Sequence, residues 1–153
     1  MPEIENAIEL AADAGLVERV VTNIAQLPGQ APVAIPIIDK AVTENPGDTK
    51  LMDIQARLKF VTRDWKGAVA AMEEIAKLDT AMMDTTYFQR LAAAQLSDSQ
   101  PQRAAEAMAR ATQKFPNHAS SWLFYAQMLR QSGQIDQAVN AARRSIQINP
   151  NIE

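Results

Sequence analysis

One histidine, His118, stands in the run PNHASS, with Ser120 and Ser121 close behind it. An imidazole beside a hydroxyl is the start of a nucleophilic pair. Such a pair also needs an orienting carboxylate and a sharp turn that exposes the serine, and no serine in the chain sits in a glycine-framed elbow. His118 therefore reads as a solvated turn residue. One histidine cannot build a His-rich metal centre, and a chain with no cysteine has no thiolate ligand, thiol nucleophile or disulfide. Glu73 and Glu74 are paired carboxylates, the other common catalytic constellation. They lie in a helical run whose apolar side is filled by Ala71, Met72 and Ile75, so they read as a solvated face. The five glycines are scattered, leaving no phosphate-cradling loop, and the methionines, Met82, Met83 and Met108 among them, read as core and junction filler. No catalytic residue, metal ligand or cofactor follows, and an enzyme is not expected.

The composition bounds the remaining classes. In 153 residues, 47% hydrophobic and 22% charged, there is enough apolar material for one sizeable core and too much for a disordered chain. A net charge of -3 argues against a general polyanion binder, so no nucleic-acid partner is expected. No run approaches the length of apolar sequence that a membrane helix needs, and MPEIENAIEL is not a signal peptide. A cysteine-free chain suits cytoplasm and periplasm alike. The cytoplasm is the favoured expectation, with the periplasm as the alternative if the chain is a domain excised from a longer, bacterial-type protein.

The elements that would position a binding surface emerge from a period. Ala34, Ala68, Ala104 and Ala138 are separated by 34, 36 and 34 residues. Seven residues further on stand Ala41, Ile75, Ala111 and Ser145, and each segment closes at Pro46, Thr80, Pro116 or Pro150. Each of these segments follows another helical pattern, at 16–27, 51–62, 86–97 and 121–132, with small residues at Thr22, Ala56, Ala92 and Ala126. In the last copy Trp122, Tyr125, Ala126 and Leu129 fall at i, i+3, i+4 and i+7, one face of a helix. Short breaks at 28–30, 63–64, 97–100 and 132–134 separate the halves. The spacing predicts four helix–turn–helix units, at about 15–48, 49–84, 85–118 and 119–153. One such unit cannot bury its own apolar face, so neighbours must stack. Residues 1–14 extend the stripe backwards through Ile4, Ile8 and Leu10. They are either the end of an upstream repeat or an N-terminal helix covering the first one. Pro36 is awkward for a helix begun at Gln30, which must either start near Val33 or kink.

These columns resemble the tetratricopeptide repeat family. The fourth copy carries Trp122, Tyr125, Ala126, Leu129, Gly133, Ala138, Ser145 and Pro150 at the signature places, and the third carries Phe88, Leu91, Ala92, Ala104, Met108, Ala111 and Pro116. The second keeps Ala56, Trp65, Ala68, Met72 and Leu78, and the first Gly29, Ala34, Ala41 and Pro46. Gln55 and Lys59 depart from it, standing where the family places large apolar residues. Thr80 replaces the closing proline, and LDTAMMDTT carries two extra residues. The resemblance implies an all-α, right-handed α-solenoid of stacked helix-turn-helix repeats.

It also implies a concave groove lined by the first helix of each pair, where members of the family hold an extended peptide or a helix. Carried over by position, the partner-binding residues are Arg19, Asn23, Lys50, Arg57, Phe60, Gln89, Arg90, Leu123, Phe124, Gln127 and Arg130. The basic residues outnumber the acidic ones along these columns, reversing the balance of the whole chain. The expected partner is a protein or peptide, acidic with an apolar anchor. Arg19, Asn23 and Arg90 match only part of the set with which some members grip a C-terminal carboxylate, since Ile54 and Thr86 occupy the other places. The expected function is a non-catalytic protein–protein interaction scaffold. The alternative is a structural module forming homo-oligomers through its terminal or convex surfaces, because Ala142, Ile146 and Ile148 would leave an apolar ledge after the last copy.

Overall fold

The computed structural model describes residues 14–26 and 29–151. The helix expected over residues 1–14 lies outside them except for Ala14. Eight α-helices occupy the described residues: α1 Ala14–Gln26, α2 Ala31–Glu44, α3 Thr49–Val61, α4 Trp65–Leu78, α5 Thr85–Ser97, α6 Pro101–Lys114, α7 Ala119–Gln131 and α8 Ile135–Ile148. A 3₁₀ turn at Thr80–Met82 takes up the two extra residues of the junction between α4 and α5. Successive helices pair across short turns into hairpins, an all-α architecture of stacked helix–turn–helix repeats. The chain divides into two compact units, Met1–Thr80 and Ala81–Glu153. None of the described helices is long and apolar enough to cross a membrane.

Helix starts follow the period. Asp48, Asp84 and His118 hold one repeat position, and each caps a first helix. Asp48 accepts from the amides of Lys50 and Leu51 at 3.0 and 3.1 Å, Asp84 from Tyr87 at 2.7 Å, and His118 Nδ1 from Ser121 at 3.2 Å. An acceptor at this place satisfies amides that the helix itself leaves unbonded. Asp64 does the same for α4 through the amide of Gly67 at 3.0 Å. A methyl group on Gly67 would collide with the Asp64 carboxylate and with Lys59 Cδ at 2.8 Å, so the bare α-carbon is what lets the cap sit. The awkward Pro36 is accommodated without a delayed start. Helix α2 begins at Ala31 and continues through Pro36, which, like Pro32, faces solvent. The hydrogen bond it forfeits is to the Pro32 carbonyl on that wet side.

Turns within the hairpins share a further feature. Gly29, Arg63, Ser99 and Gly133 hold the same repeat position, and all four have left-handed backbones, with φ of 74°, 64°, 60° and 80°. Glycine adopts this conformation freely, whereas a residue with a Cβ is penalised by about 1–2 kcal/mol. Arg63→Gly should therefore stabilise the chain by about 0.5–1 kcal/mol, the penalty removed less the extra chain entropy glycine loses on folding. Urea unfolding checks this, and a lowered midpoint would count against it.

The core of the first unit joins Val17 and Val21 of α1 to Ala34, Ile37, Ile38 and Ala41 of α2, with Leu51, Ile54 and Leu58 of α3 inserted against both. The departures at Gln55 and Lys59 are matched from the neighbouring helix. Asp39 of α2 accepts from Gln55 Nε2 at 2.7 Å and pairs with Lys59 Nζ at 3.4 Å. A polar ladder between α2 and α3 thus replaces the usual apolar contact, and its half-buried amide and ammonium groups have partners.

In the second unit Phe88, Leu91, Ala104, Met108, Ala111 and Leu129 are buried. Tyr87 meets Phe88 edge-on with ring centroids 5.4 Å apart, and the Arg110 guanidinium lies 5.7 Å from the Phe88 centroid. Ser145, at the place of an alanine, is fully buried and donates from Oγ to the Ala119 carbonyl at 2.9 Å, tying α8 to the start of α7. Lys114 of α6 donates to the Met83 carbonyl at 2.9 Å, fixing the lengthened junction to this unit.

Candidate protein-binding site

The residues that first suggested chemistry are structural. His118 is within 2.8 Å of Ser121 Oγ, so the histidine–serine pair does form. Its job is capping: the serine is fully buried in the first turn of α7, and the ring nitrogen facing it already accepts the Ser121 amide. Glu74 accepts from Lys77 Nζ at 2.8 Å across one turn of α4, and this bond, with the carboxylate's charge, raises the lysine's pKa from its ordinary value. Among the described residues no three His, Cys, Asp or Glu side chains cluster as metal ligands would.

The partner-binding residues expected from the sequence fall in both units. In the first, Arg19, Asn23, Lys50 and Arg57 are exposed. Arg57 is ion-paired with Asp53, one turn earlier on α3, at 3.0 Å. Phe60 is half-buried, with its ring edge-on to Trp65 of α4 at 5.2 Å, so it serves the hairpin's own packing. In the second, Gln89, Arg90 and Leu123 are half-buried, while Phe124, Gln127 and Arg130 are exposed.

Two of these residues are brought together around an open space. Gln127 and Arg130, with Ala126, line one wall of a trough of about 360 Å³ on the last hairpin, and Ile135, Ala138, Val139 and Ala142 of α8 line the other. Ile135 and Val139 are 55% and 44% exposed, and Ile146 continues the stripe at 55%. This is the apolar ledge expected of Ala142 and Ile146. Ile148 is half-buried. The trough is greasy at its floor and polar at one rim, the arrangement that accepts an apolar anchor and a charged neighbour. Its α8 wall went unmarked among the partner-binding residues, although Ile135, Val139, Ala142 and Ile146 carry the 4-3-4 spacing of one helical stripe.

Comparison with known proteins agrees with this architecture. Residues 95–153 match the tetratricopeptide repeat family. No curated protein matches the chain significantly. Among solved structures, a crystal structure of MamA superposes with a TM-score of 0.79 over 95% of this chain and 84% of that one, at 14% identity. A second MamA crystal structure gives 0.77 over 89% and 73%, at 15% identity. The MamA RS-1 ArsTM double mutant gives 0.78 over 94% and 82%, at 17% identity. At such identities the likeness is one of fold. The chain thus shares the stacked helix–turn–helix fold of these structures, and its sequence match to the tetratricopeptide repeat family lies in residues 95–153.

Proposed function

We propose that the protein is a non-catalytic scaffold that binds a peptide or helix carrying carboxylates and an apolar anchor. The observation that carries this reading is the open trough between α7 and α8, apolar on its floor, with Arg130 and Gln127 at its edge. Within the same unit the exposed Phe124 would be a further apolar contact, and in the first unit the exposed Arg19, Asn23 and Lys50 on α1 and α3 would favour carboxylates on their own account. Arg57 would engage a ligand by exchanging its Asp53 partner, so it contributes less than an unengaged arginine would.

The test is calorimetric titration of peptides selected on an array of acidic sequences with one large apolar residue. Affinity should fall as salt rises, because exposed charges act through a screened field. Arg130→Glu should weaken the best peptide about threefold to tenfold, the effect of reversing one partly exposed charge. Equal binding by the wild-type chain and the variant would overturn the assignment of this surface.

A further inference from the structure

Helix α3 is enclosed on most sides. It packs against α1 and α2 before it and α4 after it, and Leu51, Met52, Ile54, Ala56 and Leu58 are all buried. Among its 13 residues only Lys50, Arg57 and Val61 are exposed, and half-buried Asp53 stands between the two cations. Lys50, Asp53, Arg57 and Val61 follow at i, i+3, i+7 and i+11, so they form one open edge of the helix. That edge reads positive, negative, positive, apolar. Its last member is 64% exposed, more than any other large hydrophobic side chain among the described residues. On α1 the exposed Arg19 and Asn23 hold the repeat positions of Asp53 and Arg57. Asp53 is thus the single acid in this group of residues.

From this pattern we infer that Asp53 is a specificity-determining residue. It makes the first unit select a helical partner that carries a basic residue between two acidic ones, in preference to a uniformly acidic partner. The inference rests on the scaffold reading and adds the charge pattern that its first-unit surface selects. A partner helix laid along α3 meets Lys50 and Arg57 about 10 Å apart, two turns of helix, and offers each a carboxylate. Between them it meets Asp53, whose carboxylate is ion-paired with Arg57 at 3.0 Å. That pair is weak enough to exchange, because the Arg57 and Asp53 side chains are 54% and 26% exposed. When a ligand carboxylate takes Arg57, Asp53 gives up that contact, and a cation on the ligand replaces it. A third ligand carboxylate at the same place would instead be repelled by Asp53 and compete with it for Arg57. One turn past Arg57, Val61 supplies the contact for an apolar residue of the partner.

Calorimetric titration of the full chain with two designed helical peptides decides the matter. On an alanine–glutamine host both carry Glu at i and i+7 and Leu at i+11; one has Lys at i+3 and the other Glu. Each is made in both sequence directions, and the tighter binder is kept. The wild type should prefer the Lys peptide by about threefold to fivefold, the size expected of one partly exposed charge pair. Asp53→Asn should level the two affinities, and Asp53→Lys should reverse their order. Glu74→Gln removes an acid from α4 instead and should leave the preference intact, which separates a local effect from one of net charge. Circular dichroism reports whether each variant folds, and the near-isosteric Asp53→Asn decides if Asp53→Lys does not. Equal binding of both peptides by the wild type, or a preference that survives Asp53→Asn, would overturn the inference. If neither designed peptide binds, the inference fails, while the scaffold reading stands or falls on the array-selected peptide and Arg130→Glu. If the Lys peptide is preferred as expected but Arg130→Glu leaves the array-selected peptide unaffected, the α7–α8 assignment alone fails.

Discussion

Phe88→Ala should lower the unfolding free energy by about 3–5 kcal/mol, the cost of deleting a fully enclosed aromatic ring. Phe88 is 1% exposed and is the largest of the fully buried side chains. It also loses the edge-on contact with Tyr87 and the guanidinium of Arg110 over its face. Against a typical total of about 5–15 kcal/mol, this is a large share of the stability. Urea unfolding followed by the fluorescence of Trp122, in a Trp65→Phe background, gives the measurement. Trp122 stands one period later than Phe88 but is only half-buried, with its indole N–H donating to the Pro116 carbonyl at 2.9 Å. Trp122→Ala should accordingly cost less, read by circular dichroism. A loss below about 1 kcal/mol for Phe88→Ala would mean the hairpin refills the space, contrary to the dense packing expected of such a core.

Ala104→Leu should cost about 1–3 kcal/mol through overpacking, and Ala138→Leu distinctly less. The two alanines hold the same repeat position, and sequence alone assigns both to a tight helix–helix contact. Ala104 is sealed at 0% exposure on α6, a helix packed on both α5 and α7. Ala138 is 9% exposed and borders the trough, so a longer side chain there has somewhere to go. Paired denaturation curves test the difference. Equal losses would show that the trough offers no room, and an unchanged midpoint for Ala104→Leu would reduce the alanine column to helix propensity.

The repeat was legible because its determinants are local and recur: a small residue where two helices touch, and a closing residue where the second helix ends. What the sequence hid depends on pairing between helices or on unusual residue types. Asp39 answers Gln55 and Lys59 from 16 and 20 residues away, so the two polar substitutions looked like defects until α2 and α3 were packed. His118 is a less common cap than aspartate, and only its alignment with Asp48 and Asp84 discloses the role. The Asp53–Arg57 pair was readable from its four-residue spacing, and recognising it would have lowered Arg57 among the binding residues. The carried-over positions came from first helices alone, which is why the α8 wall of the trough was missed.

The left-handed turn position has a stereochemical consequence. At Arg63 and Ser99 the backbone occupies the region that is the mirror image of the ordinary helix, and there the L configuration is the less suited hand. A chemically synthesised chain with D-arginine at position 63 would keep the guanidinium and its tether while making the turn's conformation the intrinsically favoured one. Unlike glycine, it would keep the restriction that L-arginine already places on the unfolded chain, so the removed backbone penalty would appear undiminished as stability. Gly29 and Gly133 mark the turns where the sequence already meets the same demand with an achiral residue.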